Sequence, residues 1–331
     1  MTKPTIALTI GDPNGIGPEI AVKAAAKLAR EGGPAIVLVG DEFVVRHYVE
    51  LCARDFAVHP FDGAVAEPGC LQLLAVNALP GGAFSPGTPA AVGGRATVDY
   101  VAAAIRFVNE GHAGAIVACP HSETNVNAAG IRFSGYPSLL ARLKDLPEDE
   151  VFLMLVGGGL RIVHVTLHER LRTALGRITP ELVERAARTA DAALRRLNIQ
   201  QPRIGLFGIN PHAGEGGLFG GDDDEITVPA VRRLQASGLN VEGPLGADLM
   251  LGRRDFDAFV AMYHDQGHIP VKLLAGRNSA AMSIGSGLLF SSVGHGSAFD
   301  IAGRGVAEPE AVLRSIQLLG GASHFGDAAA P

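Results

Sequence analysis

Short, almost purely apolar runs recur along this chain, and stretches with helical spacing lie between them. Residues 5–10, 35–39, 71–76, 115–119, 204–209 and 258–262 are too brief and too unbroken for half-exposed helices, and read as buried strands. Residues 19–29, rich in Ala and Lys, and 96–109, 228–236 and 309–319 fit helices. Thr179-Pro180-Glu181-Leu182 supplies an N-cap and a first-turn proline, so a helix opens there and runs to about 197. Residues 151–156 and 161–165 flank Gly157-Gly158-Gly159, which predicts an antiparallel hairpin. This alternation specifies an α/β sandwich with a mixed sheet. The 43 glycines gather at strand ends instead of repeating, which excludes a solenoid.

A chain of 331 residues suffices for two domains or one large α/β unit. With 47% apolar and 19% charged residues it can bury a core, so disorder is excluded. The net charge of −6 comes from 28 basic and 34 acidic side chains without a basic stripe, so no nucleic-acid partner is expected. No apolar stretch approaches the roughly 20 residues needed to span a bilayer. No cationic flank with a long apolar core precedes the first strand, so the expected location is cytoplasmic, with no membrane partner. Cys52, Cys70 and Cys119 are too few and scattered for a disulfide framework or a cysteine metal site.

Three histidines follow apolar runs: His168 in Val-Thr-Leu-His-Glu, His212 in Asn-Pro-His-Ala-Gly-Glu-Gly, and His264 in Met-Tyr-His-Asp-Gln-Gly-His. In open α/β sheets ligands bind outside the carboxyl ends of strands. Three imidazoles delivered there offer a site for one divalent metal with an open position. The plain alternative is three unrelated loop histidines, because they form no local motif. Lys272, eight residues after His264, is a candidate for proton transfer if it reaches the same site. Asp265 and Asp248 are carboxylates that could orient a ligand imidazole, or simple turn residues. Gly267 and Pro270 argue against a continuous helix here, so His268 reads as a pocket residue and not a ligand.

Two glycine-rich stretches remain. Gly11-Asp-Pro-Asn-Gly-Ile-Gly-Pro-Glu19 is either a tight strand-to-helix turn or an anion loop, and lacks full dinucleotide spacing. Residues 291–305 carry Gly294, His295, Gly296, Ser297, Ala298 and Asp300, small and polar groups that let a planar ring lie against backbone. Each also has ordinary capping uses.

These segments, together with Ala302-Gly-Arg-Gly, resemble the 4-hydroxythreonine-4-phosphate dehydrogenase family of pyridoxine biosynthesis, nearly from end to end. The resemblance implies a two-domain α/β/α sandwich of the isocitrate and isopropylmalate dehydrogenase type. It implies an NAD-dependent homodimer whose site lies at the subunit interface. It also implies a divalent metal on His168, His212 and His264, zinc first, with iron, nickel, cobalt, manganese or magnesium as alternatives. Residues 294–298 and Asp300 look like the NAD-adenosine loop. On this basis residues 1–130 with 275–331 form the cofactor domain, and 131–274 the domain with the histidines and dimer contacts.

Departures from the family pattern bear on substrate. Where that family holds its phosphorylated substrate with Gly-His-Thr-Glu, this chain has Gly135-Tyr136-Pro137-Ser138. The family's substrate Asn and Arg align with Ala281 and Phe290, while its Lys aligns with Lys272. A phosphate dianion would lose charge-assisted hydrogen bonds worth roughly 1.5–3 kcal/mol each. Tyr136, Pro137, Ala281 and Phe290 would instead flatten and dry the pocket. The chain looks like the terephthalate dihydrodiol dehydrogenase subgroup, which implies oxidative decarboxylation of a cis-dihydrodiol dicarboxylate to a dihydroxybenzoate such as protocatechuate. Lys272, Asp265 and Asp248 are then the catalytic candidates, with Tyr136, Pro137, Lys272 and His268 against the substrate. Arg95, Arg132, Arg161 and Arg277 are all conceivable carboxylate partners. The alternatives are a dehydrogenase of a phosphorylated hydroxy acid and, from another class, a metal-dependent hydrolase, which would leave residues 291–305 unexplained.

Overall fold

The computed structural model describes residues 5–64, 66–276 and 279–320. The chain forms two units, one from residues up to Ser134 and from Leu288 on, the other from Gly135–Gly287. The first unit begins with β1 (Ile6–Thr9), β2 (Ile36–Gly40), β3 (Ala57–Pro60), β4 (Cys70–Ala75) and β5 (Ala115–Ala118). The second contains β6 (Phe152–Gly157), β7 (Leu160–His164), β8 (Ile204–Phe207), β9 (Val241–Leu245), β10 (Ala258–Ala261) and β11 (Ala280–Ile284). The chain then re-enters the first unit as β12 (Phe290–Val293). Re-entry comes after 287, not at the expected 275, because β11 pairs antiparallel with β6 in the second unit.

In the first unit the strand order is β3-β4-β2-β1-β5-β12, all parallel. β1 and β5 are buried along their whole length, as strands covered on both faces must be. The loop after β1 is bound by packing. A Cβ on Gly11 would lie 2.2 Å from the Pro120 carbonyl, and one on Gly17 2.2 Å from that of Ile10. Its glycines therefore have the ordinary explanation of a tight, buried turn into the helix Gly17–Glu31.

In the second unit the order is β11-β6-β7-β10-β8-β9, parallel from β7 to β9 and antiparallel across β6. The expected hairpin is β6–β7, closed by Gly158 and Gly159 at φ 59° and 76°, the left-handed pair a two-residue turn requires. Thr179 caps the helix Pro180–Arg196 by accepting from the Leu182 amide. Leu155, Ile162, Phe207, Met250, Phe259 and Val271 form the core beneath this sheet. Removing the fully buried Phe207 ring would cost about 3–5 kcal/mol.

One expectation is overturned. His264–Ala275 is a continuous helix despite Gly267 and Pro270. Pro270 gives up one backbone hydrogen bond, but the helix packs on β6, β7 and β10, and tertiary burial outweighs that loss. No helix among the described residues is long and apolar enough to cross a membrane.

Candidate active site

His168, His264 and His212 follow β7, β10 and β8, three adjacent parallel strands, all at their carboxyl ends. The strand ends are tied together by hydrogen bonds. The Val165 and Thr166 amides donate to the Ala261 and Met262 carbonyls at 2.9 and 3.2 Å. Gln266 accepts from the Met262 amide and donates to the Gly208 carbonyl, both at 2.7 Å, bridging the ends of β10 and β8. Buried Asp223 accepts from the Ile209 and Asn210 amides and holds the turn in which His212 sits. His212, Ala213 and Glu215 are all left-handed there, at φ 53°, 53° and 46°, a conformation that costs side chains with a Cβ.

The rings of His168 and His264 lie with centroids 5.3 Å apart. His264 stacks on His268 at 3.7 Å with 13° between planes, so the continuous helix puts both rings on one face. Behind them is His164, 4.5 Å from His268 ring to ring. Sequence reasoning missed His164; the available signal was an imidazole directly after the apolar pair Ile162-Val163 of a buried strand, which must find partners when buried. His212 makes its own pair, with Nδ1 2.8 Å from Glu215 Oε2, and Nδ1 of His264 is 2.7 Å from Asp265 Oδ1. Glu215 is thus a second residue that sequence reasoning did not single out.

Burial, followed by the neighbouring His268, pushes His164 down to about 3. Burial, then His264, His168 and Lys272, pushes His268 down to about 4. Lys272 is lowered by burial and donates to Ser279 Oγ at 2.8 Å. A cleft of about 310 Å³ opens beside His168 and His264, lined also by Leu167, Leu171, Tyr263 and Asp265 among others. That volume suits a small-molecule ligand. Gly135, at φ 113°, leads into the helix Tyr136–Leu143, and a Cβ there would lie 3.4 Å from Nδ1 of His168. Tyr136 and Pro137 are buried in its first turn.

Other residues lie elsewhere. Asp248 is in the helix Ala247–Gly252, where a Cβ on Gly246 would lie 2.8 Å from its Oδ1 and 3.6 Å from the His212 Cα. Phe290 is fully buried in the core of the first unit and is not a pocket wall. Arg161 stands at the start of β7, the end opposite His168, and donates to the Asp257 carbonyl. Arg95 and Arg132 are exposed in the first unit, and Arg277 lies outside the described residues.

Among the described residues no group of three or more His, Cys, Asp or Glu is already arranged around one metal position. The donor set nevertheless fits one. Two imidazoles bound tetrahedrally at about 2.0–2.1 Å put their ring centres roughly 5 Å apart, the spacing of His168 and His264. In both His264 and His212 a carboxylate occupies Nδ1 and leaves Nε2 for a cation. Residues 294–300 follow β12 directly. The Ser297 carbonyl accepts from the Ile16 amide, while its Oγ is buried without a hydrogen-bond partner. Such an orphaned hydroxyl fits a loop built for a polar ligand.

The pyridoxal phosphate biosynthetic protein PdxA family model matches residues 33–319. The 1,2-dihydroxy-3,5-cyclohexadiene-1,4-dicarboxylate dehydrogenase of Comamonas is 49% identical over 95% of this chain and 96% of its own length. The crystal structure of a terephthalate 1,2-cis-dihydrodiol dehydrogenase from Burkholderia xenovorans is 54% identical, with TM-score 0.74, over 96% of this chain and 98% of that one. A 4-hydroxythreonine-4-phosphate dehydrogenase from Burkholderia phymatum is 35% identical, with TM-score 0.85, over 97% and 98%.

Proposed function

Because the chain belongs to the PdxA family and its relatives are dehydrogenases, we propose that it is an NAD- and divalent-metal-dependent dehydrogenase of a cis-dihydrodiol dicarboxylate. Terephthalate dihydrodiol would be oxidised and decarboxylated to a dihydroxybenzoate such as protocatechuate. The observation that carries this reading is the delivery of His168, His264 and His212 to the same end of three adjacent parallel strands. The isocitrate and isopropylmalate dehydrogenase fold type belongs to the same reading.

His168, His212 and His264 would hold the metal, zinc first, and residues 294–298 with Asp300 the NAD. When bound, these groups supply Lewis acidity for a hydroxyl and carbonyl oxygen, and a hydride acceptor. Asp265 and Glu215 orient the His264 and His212 rings so that each presents Nε2. Lys272, its ammonium weakened by burial, is the group to deliver a proton to the oxygen of the catecholate left when carbon dioxide departs, or to pair with a carboxylate. Asp248 would be a further carboxylate near the His212 turn, across Gly246. Tyr136 and Pro137 supply apolar surface next to His168, and His268 a polar contact. Aromatisation of the product drives the decarboxylation. Leu218, Leu249 and Leu273, at 72%, 61% and 80% exposure, support a homodimer formed through the second unit.

The test is NADH formation measured with the terephthalate cis-diol and with 4-hydroxythreonine-4-phosphate, each with and without chelator. We expect turnover of the diol alone, abolished by chelator and restored by zinc. Turnover of the phosphate ester in preference to the diol, or hydrolysis without NAD, refutes the proposal.

A further inference from the structure

His164 ends β7 with 1% of its surface exposed, yet both ring nitrogens have partners. Nδ1 lies 3.3 Å from the Leu153 carbonyl on β6. Nε2 lies 3.0 Å from Nδ1 of His268. A carbonyl oxygen only accepts, so Nδ1 of His164 carries the proton. A neutral imidazole has one donor and one acceptor; Nε2 of His164 therefore accepts, and Nδ1 of His268 donates. Above the ordinary imidazole pKa of about 6.5 both rings are neutral, and the burial of His164 favours that form further. The second nitrogen of His268 is then a lone-pair acceptor, and ring geometry turns it away from His164.

The surroundings are built for this contact. A Cβ on Gly267 would sit 2.4 Å from Nε2 of His164, so only glycine leaves room for the two rings to meet. The His268 ring lies flat against His264, which keeps Nε2 at the flank of a proposed metal ligand. We infer that His164 is a positioning residue: it locks His268 in the Nδ1–H tautomer, so that Nε2 accepts a hydrogen bond from a substrate hydroxyl. A lone pair receives a hydroxyl and repels a carboxylate, so His268 would distinguish the diol edge of the ring from its carboxylates. The identity of that hydroxyl rests on the diol reading; the tautomer does not.

The test is nitrogen NMR of the full chain carrying isotope-labelled histidine at about pH 8, where both rings are neutral, with His268→Asn to assign His268. We expect His268 as the Nδ1–H form in the wild type. His164→Gln retains an acceptor and should preserve that form, whereas His164→Leu should shift His268 toward Nε2–H. In the NADH assay with the cis-diol, His164→Leu should lower kcat about tenfold or more, and His164→Gln should recover most of it. A wild-type His268 found as Nε2–H, or unchanged in His164→Leu, overturns the assignment. If the wild type turns over no diol, the proposed substrate fails while the spectra still decide the role of His164.

Discussion

Gly267→Ala sets two physical effects against each other. In an exposed helix the change is stabilising by about 0.8–1.0 kcal/mol, because alanine loses less backbone entropy. Here the new methyl would lie 2.4 Å from Nε2 of His164 and 2.9 Å from Cγ2 of Ile162, whereas ordinary contact begins at roughly 3.5 Å. His164 would have to retreat by about an ångström, yet it is buried and held by the Leu153 carbonyl. Overpacking of this kind costs about 1–3 kcal/mol, and losing the contact with His268 adds about 0.5–1.5 kcal/mol. Sterics therefore outweigh propensity, and we expect a net loss of about 1–3 kcal/mol. For a unit of this size that lowers Tm by roughly 3–10 °C. Scanning calorimetry is the assay, with Gly176→Ala as the control, since Gly176 is helical and has no heavy atom within 4 Å of the added methyl. The control should hold or gain stability. An unchanged or raised Tm in Gly267→Ala would show that the rings are not packed as described.

His164 binds a proton below about pH 6.5 in the unfolded chain but only near 3 in the folded one. Its contribution is full above pH 6.5 and is lost as pH falls; between about pH 6.5 and 5 that amounts to about 2 kcal/mol. Urea midpoints of chelator-treated wild type should fall more steeply over that window than those of His164→Gln, and parallel slopes would exclude the effect. Ser297→Ala removes a buried hydroxyl without a partner, so thermal stability should hold or rise by up to about 1 kcal/mol while NAD affinity drops in calorimetric titration. Unaltered NAD affinity would remove Ser297 from the cofactor loop. His212→Ala, at an exposed turn, should leave the circular dichroism spectrum intact and abolish zinc binding; full zinc content would reject it as a ligand.

Local signals made much of the fold legible. Thr179 and Pro180 act within one turn of their own helix, and the glycines at 158 and 159 answer a two-residue turn. The strands before His168, His212 and His264 are short and apolar because they are covered on both faces, so their carboxyl ends could be located. The helix at 264–275 was illegible for the opposite reason. Gly267 and Pro270 oppose a helix locally, and what overrides them is packing on strands far away in sequence. His164 escaped notice because its partner is 104 residues away. Phe290 reads as a pocket residue by alignment, but its burial is a tertiary fact with no local signature.

In the second unit β10 lies between β7 and β8, although both precede it in the chain. During synthesis those two strands must wait, each with an unpaired edge, until a later segment slots between them. Nascent second units should therefore be most prone to stick together just before residue 258 emerges, and a chaperone that shields open strand edges would matter most in that interval.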